Sequence, residues 1–134
     1  MNAVDTSVAI PAFASWHPAH ARTLEIINAG VLLPAHTAFE TYSVLTRLPA
    51  PHRASASRVL EFLKESFDGD WLTLSGPSVR QAVAELAGRG VHGGSTYDGL
   101  IGLTVRFAGA TLLTRDLRAK QTYELLGVDV EYLG

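Results

Sequence analysis

A chain of 134 residues, 47% hydrophobic and 18% charged, has the length and composition of one globular domain and excludes a disordered chain. A net charge of −2 excludes a generally basic nucleic-acid coat. The absence of cysteine excludes disulfides, thiolate zinc sites and cysteine nucleophiles. Nine arginines against two lysines suit bidentate phosphate contacts, should phosphate be bound at all. No basic leader with an apolar core opens the chain, and no apolar run approaches the ~18–20 residues of a membrane span. A cytoplasmic protein is expected.

In chain order, residues 1–5 read as a short strand stopped by Asp5, and residues 7–14 as a short helix. Residues 18–28 read as a second helix with Gly30 as its stop. Residues 31–33 form a strand closed by Pro34. Ala38, Tyr42 and Leu45 recur at helical spacing over residues 38–48, and Pro49-Ala50-Pro51 ends that helix. Val59, Phe62, Leu63 and Phe67 make one stripe of an amphipathic helix over residues 53–67. Residues 71–75 read as a strand, residues 78–88 as a helix, and a glycine-rich loop follows.

The helix over residues 96–108 is apolar nearly all round and should be buried, with Gly99 and Gly102 allowing close approach to a sheet. A strand over 111–114, a helix over 117–126 capped by Gly127, and a strand over 128–132 complete a single domain, residues 1–134. Alternating strands and helices predict an α/β sandwich around a mainly parallel sheet. Ligands of such sheets bind beyond the carboxyl ends of the strands.

Four acids sit where helices are expected to begin: Asp5, Glu40, Asp98 and Asp116. Capping accounts for each one singly. Asp5-Thr6-Ser7 and Asp116 are N-cap patterns, and Thr37 with Glu40, or Ser95 with Asp98, are capping-box patterns. Jointly they mean more, because a parallel sheet brings the starts of most helices to the edge where its strands end. Carboxylates gathered there repel unless a cation compensates them. A hard, oxygen-preferring ion such as Mg²⁺ or Mn²⁺ suits that donor set, and would activate water for attack at phosphorus.

Other patterns carry less. Gly88-Arg89-Gly90-Val91-His92-Gly93 matches a dinucleotide fingerprint only in letters. It follows a helix, and no acid stands ~20 residues further on in a second strand. His17 and His20 lack a third ligand and read as exposed turn residues. Ser7 has no nucleophile-elbow context, and Asp5 has no neighbouring acid for a phospho-acceptor site.

With Val4-Asp5-Thr6-Ser7, Phe39-Glu40, Tyr97-Asp98-Gly99-Leu100-Ile101 and Leu112-Leu113-Thr114-Arg115-Asp116 in order and at these spacings, the chain resembles a PIN-domain nuclease. Within that family it looks like the VapC-type toxin of bacterial toxin–antitoxin pairs. Glycine at 99, where the family often has alanine, is a mild departure. The resemblance implies a PIN-like three-layer α/β/α sandwich and a metal-dependent endoribonuclease, the toxin of a type II toxin–antitoxin system. It implies Mg²⁺, with Mn²⁺ as a substitute, a homodimer, a VapB-like antitoxin and an RNA substrate such as tRNA or rRNA.

Carried over residue by residue, Asp5 and Asp98 would be the principal metal ligands. Asp116 would complete the site directly or through water, and Glu40 would position the metal or the attacking water. Ser7 and Thr114 would orient carboxylates. The helices over 38–48 and 53–67 resemble the hairpin that takes the antitoxin, and Arg47, Arg53 and Arg115 are candidates for RNA phosphates. Two alternatives stay open. One is a non-catalytic PIN-like binding module whose acids only cap helices, and the other is a structure-specific DNA nuclease using the same acids.

Overall fold

The computed structural model describes residues 1–134 and orders them β1 (Asn2–Val4), α1 (Thr6–Phe13), α2 (His20–Asn28), α3 (Ala35–Arg47), α4 (Ala56–Ser66), α5 (Gly76–Gly88), α6 (Thr96–Phe107), β2 (Thr111–Thr114), α7 (Lys120–Leu125) and β3 (Val130–Tyr132). A 3₁₀ turn over Gly93–Ser95 leads into α6, and another over Leu117–Ala119 leads into α7. The three strands form a parallel sheet in the order β1-β2-β3. Ala3 lies opposite Leu112 and Val4 opposite Leu113, while Thr114 lies opposite Tyr132.

The strands expected over 31–33 and 71–75 shrink to single bridges. Leu32 pairs with Ala3 and Leu72 with Pro34, both parallel. The ladder continues in hydrogen bonds all the same: Leu32 N–H donates to Asn2 O, and Leu72 N–H to Leu33 O. The reason for the truncation is Pro34, which has no N–H to donate and precedes α3 directly.

Alternation along the strands divides the core into two layers. Val4 and Leu113 face a cluster with Val8, Ile27, Leu45, Val59 and Leu63 from α1 to α4. Ala3 and Leu112 face the other way, toward Ile101 and Val105 of α6 and Tyr123 of α7. A satellite cluster joins α5 to α6 and α7 through Ala82, Leu86, Leu103 and Leu126. Period-two alternation in two short buried strands is enough to place helices on both faces, which is the expected three-layer arrangement.

Local expectations fare unevenly. Asp5 and Asp116 cap as expected, accepting from the N–H of Ser7 and of Arg118. The two capping boxes do not form. α3 begins at Ala35 with Pro34 as its N-cap, so Glu40 falls in the second turn. Thr37 donates instead to Val4 O at 3.1 Å, tying α3 to the end of β1. Ser95 is helical and makes no side-chain cap.

Gly99 and Gly102 allow close approach to neighbouring helices and to the β3 entry, not to the sheet. A Cβ at 99 would lie 2.5 Å from Leu86 Cδ2, and one at 102 would lie 2.9 Å from Val128 Cγ2 and 3.1 Å from Tyr123 Cδ1. His17 and His20 are half-buried, their Nδ1 atoms engaged with Ala19 N and Pro11 O. No helix is long and apolar enough to cross a membrane.

Candidate active site

β1 ends at Val4 and β2 at Thr114, in register, so the residues that follow them meet at one edge of the sheet. Asp5 is the first residue there and is only 4% exposed. Its Oδ1 accepts from the N–H of Ser7 at 3.0 Å and from Ser7 Oγ at 2.5 Å. Its Oδ2 accepts from Thr114 Oγ1 at 2.5 Å and from Tyr123 Oη at 3.0 Å. Ser7 Oγ lies 3.2 Å from Thr114 Oγ1, but each hydroxyl has one proton and both protons go to Asp5. The two hydroxyls also accept: Ser7 Oγ from Arg115 N at 2.7 Å, and Thr114 Oγ1 from Asp116 N at 3.0 Å. One carboxylate thereby organises the β1–α1 junction, the loop after β2, and α7.

Tyr123 is the member of this network that reading the sequence missed. It is 1% exposed, belongs to the core cluster beneath β1 and β2, and donates its phenol to Asp5 118 positions away. The available signal was chemical: a tyrosine buried on the inner face of a helix needs a partner for its hydroxyl. Sequence spacing cannot say which partner. Burial, the charges of Asp5 and Asp98, and the bond to Asp5 hold the phenol well above its ordinary pKa, so it stays a donor.

The other three acids share the edge. Asp98 stands in the first turn of α6, Glu40 in the second turn of α3, and Asp116 two residues beyond β2. Their charges are felt mutually. Burial first, then Asp116, Glu40 and Asp5, raise the Asp98 carboxyl to about 6. Burial and the charge of Asp5 raise Glu40. Burial raises Asp5 against its four hydrogen bonds.

Little positive charge opposes this. Arg118 pairs with Asp116, Nε to Oδ1 at 3.2 Å, from a side chain that is 92% exposed. Burial holds His36 below its usual range although Asp98 favours its charged form, and its Nε2 lies 3.7 Å from Glu40 Oε2.

This donor set fits a hard divalent cation: carboxylates and hydroxyls only, with anionic charge that no buried cation offsets. No three His, Asp or Glu side chains stand gathered around one position as the structure has them. The geometry of Asp5 supplies a reason, since four donors already occupy the roughly four acceptor sites of its carboxylate. An ion held there would displace one of them.

The candidate arginines separate by position. Arg115 follows β2 at the acid edge, half-buried. Arg47 and Arg53 lie at the far end of α3, where Arg47 donates to Ser43 Oγ and Arg53 to Leu48 O. Arg47 is seven residues beyond Glu40, about 10 Å along the helix axis. Of the three candidates for RNA phosphates, Arg115 lies beside the acids, while Arg47 and Arg53 lie further along the surface.

A PIN-domain family model matches residues 3–125. Ribonuclease VapC40 of Mycobacterium tuberculosis is 50% identical over 131 residues, covering 98% of each chain. Ribonuclease VapC27 of the same organism is 42% identical over 129 residues, covering 96% of this chain and 93% of its own. Among solved structures, VapBC2 from Rickettsia felis bound to a promoter DNA fragment superposes with a TM-score of 0.69 at 14% identity, covering 99% and 98% of the two chains. FitAcB from Neisseria gonorrhoeae gives 0.69 at 20% identity, covering 97% and 96%. The fold, the order of the acids and these relatives agree: the chain belongs to the PIN-domain family, in its VapC branch.

Proposed function

We propose that this chain is the toxin of a type II toxin–antitoxin pair, an endoribonuclease that hydrolyses RNA phosphodiester bonds with a divalent cation in the cytoplasm. The carrying observation is the acid edge, where Asp98 is raised to about 6 by burial and by three neighbouring carboxylates. The names of the two mycobacterial relatives support ribonuclease chemistry, and the neighbouring structures are complexes named VapBC and FitAcB.

Asp5 and Asp98 would hold the cation, Mg²⁺ or Mn²⁺, with Asp116 completing its shell directly or through water. When bound, the cation supplies an activated water and charge stabilisation at phosphorus. The chain's own residues do the rest. Ser7, Thr114 and Tyr123 fix the Asp5 carboxylate in one orientation, as second partners of metal ligands do. Glu40, raised by burial and by Asp5, would position the metal or the attacking water. Arg115, at the same edge, offers a cation to the phosphate.

The antitoxin would sit in the cleft between α3 and α4. That cleft has a volume of about 230 Å³ and is lined only by Ala38, Phe39, Tyr42, Leu60, Leu63 and Trp71. Phe39 and Leu60 remain largely exposed at its mouth, which suits a short apolar segment of an antitoxin. A homodimer follows from the family resemblance.

Incubating the purified chain with cellular RNA tests the reading. Cleavage that needs added Mg²⁺ or Mn²⁺, stops with chelator and vanishes in Asp98→Asn is the expected result. Cleavage that continues in Asp98→Asn would refute the site, and absence of cleavage with either metal would favour a non-catalytic binding module.

A further inference from the structure

Two rings at the rim of the acid edge have no part in the chemistry above. His36, in the first turn of α3, and Tyr97, in the first turn of α6, stack with ring planes 5° apart and centroids 5.1 Å apart. Tyr97 is 55% exposed although His36 covers one of its faces. More than half of the residue therefore remains open beside the stack. Both rings are anchored to the acids: Tyr97 directly precedes Asp98, and His36 reaches Glu40 one helical turn on. A parallel stacked pair holds the plane of the outer ring steady, which a lone surface tyrosine would not do.

An RNA strand approaching this edge meets four carboxylates, with Arg115 and Arg118 following β2. On the α3/α6 flank the chain offers neutral aromatic surface. The part of RNA that binds such a surface without charge is the flat face of a base, and it is available only where the base is unpaired.

We propose that the His36–Tyr97 stack is a base platform: the open face of Tyr97 takes an unpaired nucleobase beside the phosphate held at the acid edge. This rests on the ribonuclease reading. The platform extends a two-ring stack to three, selects single-stranded RNA over duplex, and tolerates all four bases because each has a π face. It contributes equally to ground and transition states, so its loss acts on KM and leaves kcat alone.

The test measures binding of a fluorescent 12-nucleotide single-stranded RNA pool of random sequence by anisotropy, in the Asp98→Asn background to prevent cleavage. Adding Tyr97→Ala should weaken binding about tenfold, the loss of one base–aromatic stack, and Tyr97→Phe should restore it to within about twofold. His36→Ala should weaken it by a smaller factor. In the cleaving chain, Tyr97→Ala should raise KM by the same factor with kcat nearly unchanged. Equal affinity with alanine or tyrosine at 97 would overturn the platform, as would equal weakening toward a duplex of the same length. Intact RNA binding with lost self-association or antitoxin binding would make the rings a protein contact instead. The two readings fail separately. If the Tyr97-intact chain neither binds nor cleaves RNA, the ribonuclease reading falls and takes the platform with it. If that chain binds and cleaves while Tyr97→Ala matches it, the platform alone falls.

Discussion

Glu85 and Asp98 sit on neighbouring helices, and the fold treats their charges in opposite ways. Glu85 of α5 is held by both guanidinium nitrogens of Arg106, at 2.5 and 2.6 Å, and the same Arg106 donates to Leu126 O. Those bonds press the Glu85 carboxyl below its usual range. Asp98 of α6 has three carboxylates for company and only Arg118 to oppose them, and it rises to about 6. One acid is complete within the chain and fastens α5, α6 and the end of α7 together. The other is complete only when something cationic arrives. A partly buried charge left without a partner is costly to a fold, so the place where it persists marks where a ligand belongs.

The sharpest way to break this comparison is to neutralise Asp98. Asp98→Asn should lower RNA cleavage by at least about a hundredfold. Without metal at pH 7.5 it should also raise Tm, because a like charge is removed. Added Mn²⁺ should raise the Tm of the parent chain and leave Asp98→Asn unmoved. A metal-free Tm lowered by Asp98→Asn would mean that the Asp98 charge stabilises the start of α6 more than its neighbours repel it.

A step smaller, Tyr123→Phe removes one of four donors to Asp5 while keeping the ring that fills the core. Metal affinity, read from half-maximal activation by Mn²⁺, should weaken about tenfold. Unfolding should cost about 1–2 kcal/mol by denaturant titration. An unchanged metal requirement would show that Thr114 and Ser7 suffice to orient Asp5.

Arg106→Ala should act on stability alone. Losing a partly buried bidentate pair should cost about 1–2 kcal/mol, with kcat for RNA cleavage at the parent value. A loss of kcat would mean that α6 transmits strain from this pair to Asp98.

The smallest effect is in pH. A carboxyl raised from 3.8 to about 6 in the folded chain binds its proton more tightly folded than unfolded. The metal-free fold should therefore lose stability as pH rises from about 4 to 6, by on the order of 1 kcal/mol once solvent screening at this half-buried group is allowed for. Metal competes with the proton, so the ¹³C-detected titration of Asp98 should shift below 6 when Mg²⁺ is added. A metal-free titration near 4 would remove the electrostatic argument for the site.

How much of this was legible beforehand differs by residue. Asp5 and Asp116 were, because each caps the segment after a strand and the strands run parallel. Glu40 reached the edge by a different local route than its spacing suggested: Pro34 starts α3 three residues early, and Thr37 bonds β1 instead of capping. The runs at 31–33 and 71–75 have the composition of strands but keep only single bridges, because Pro34 leaves no room for a longer ladder between them. Tyr123 was invisible, because nothing in its neighbourhood along the chain refers to Asp5.

The sequence by itself determined the order of acids, the two-faced alternation of β1 and β2, and hence which edge of the sheet would be acidic. These depend on local capping and on period-two patterning, both of which act over a few residues. Only the tertiary structure decided that Tyr123 crosses from α7 to hold Asp5, and that Arg47 and Arg53 are engaged locally with Ser43 and Leu48. It alone placed His36 flat against Tyr97. Such pairings depend on how helices pack across a shared core, where a contact 118 positions apart follows from the summed burial of many side chains and leaves no local trace.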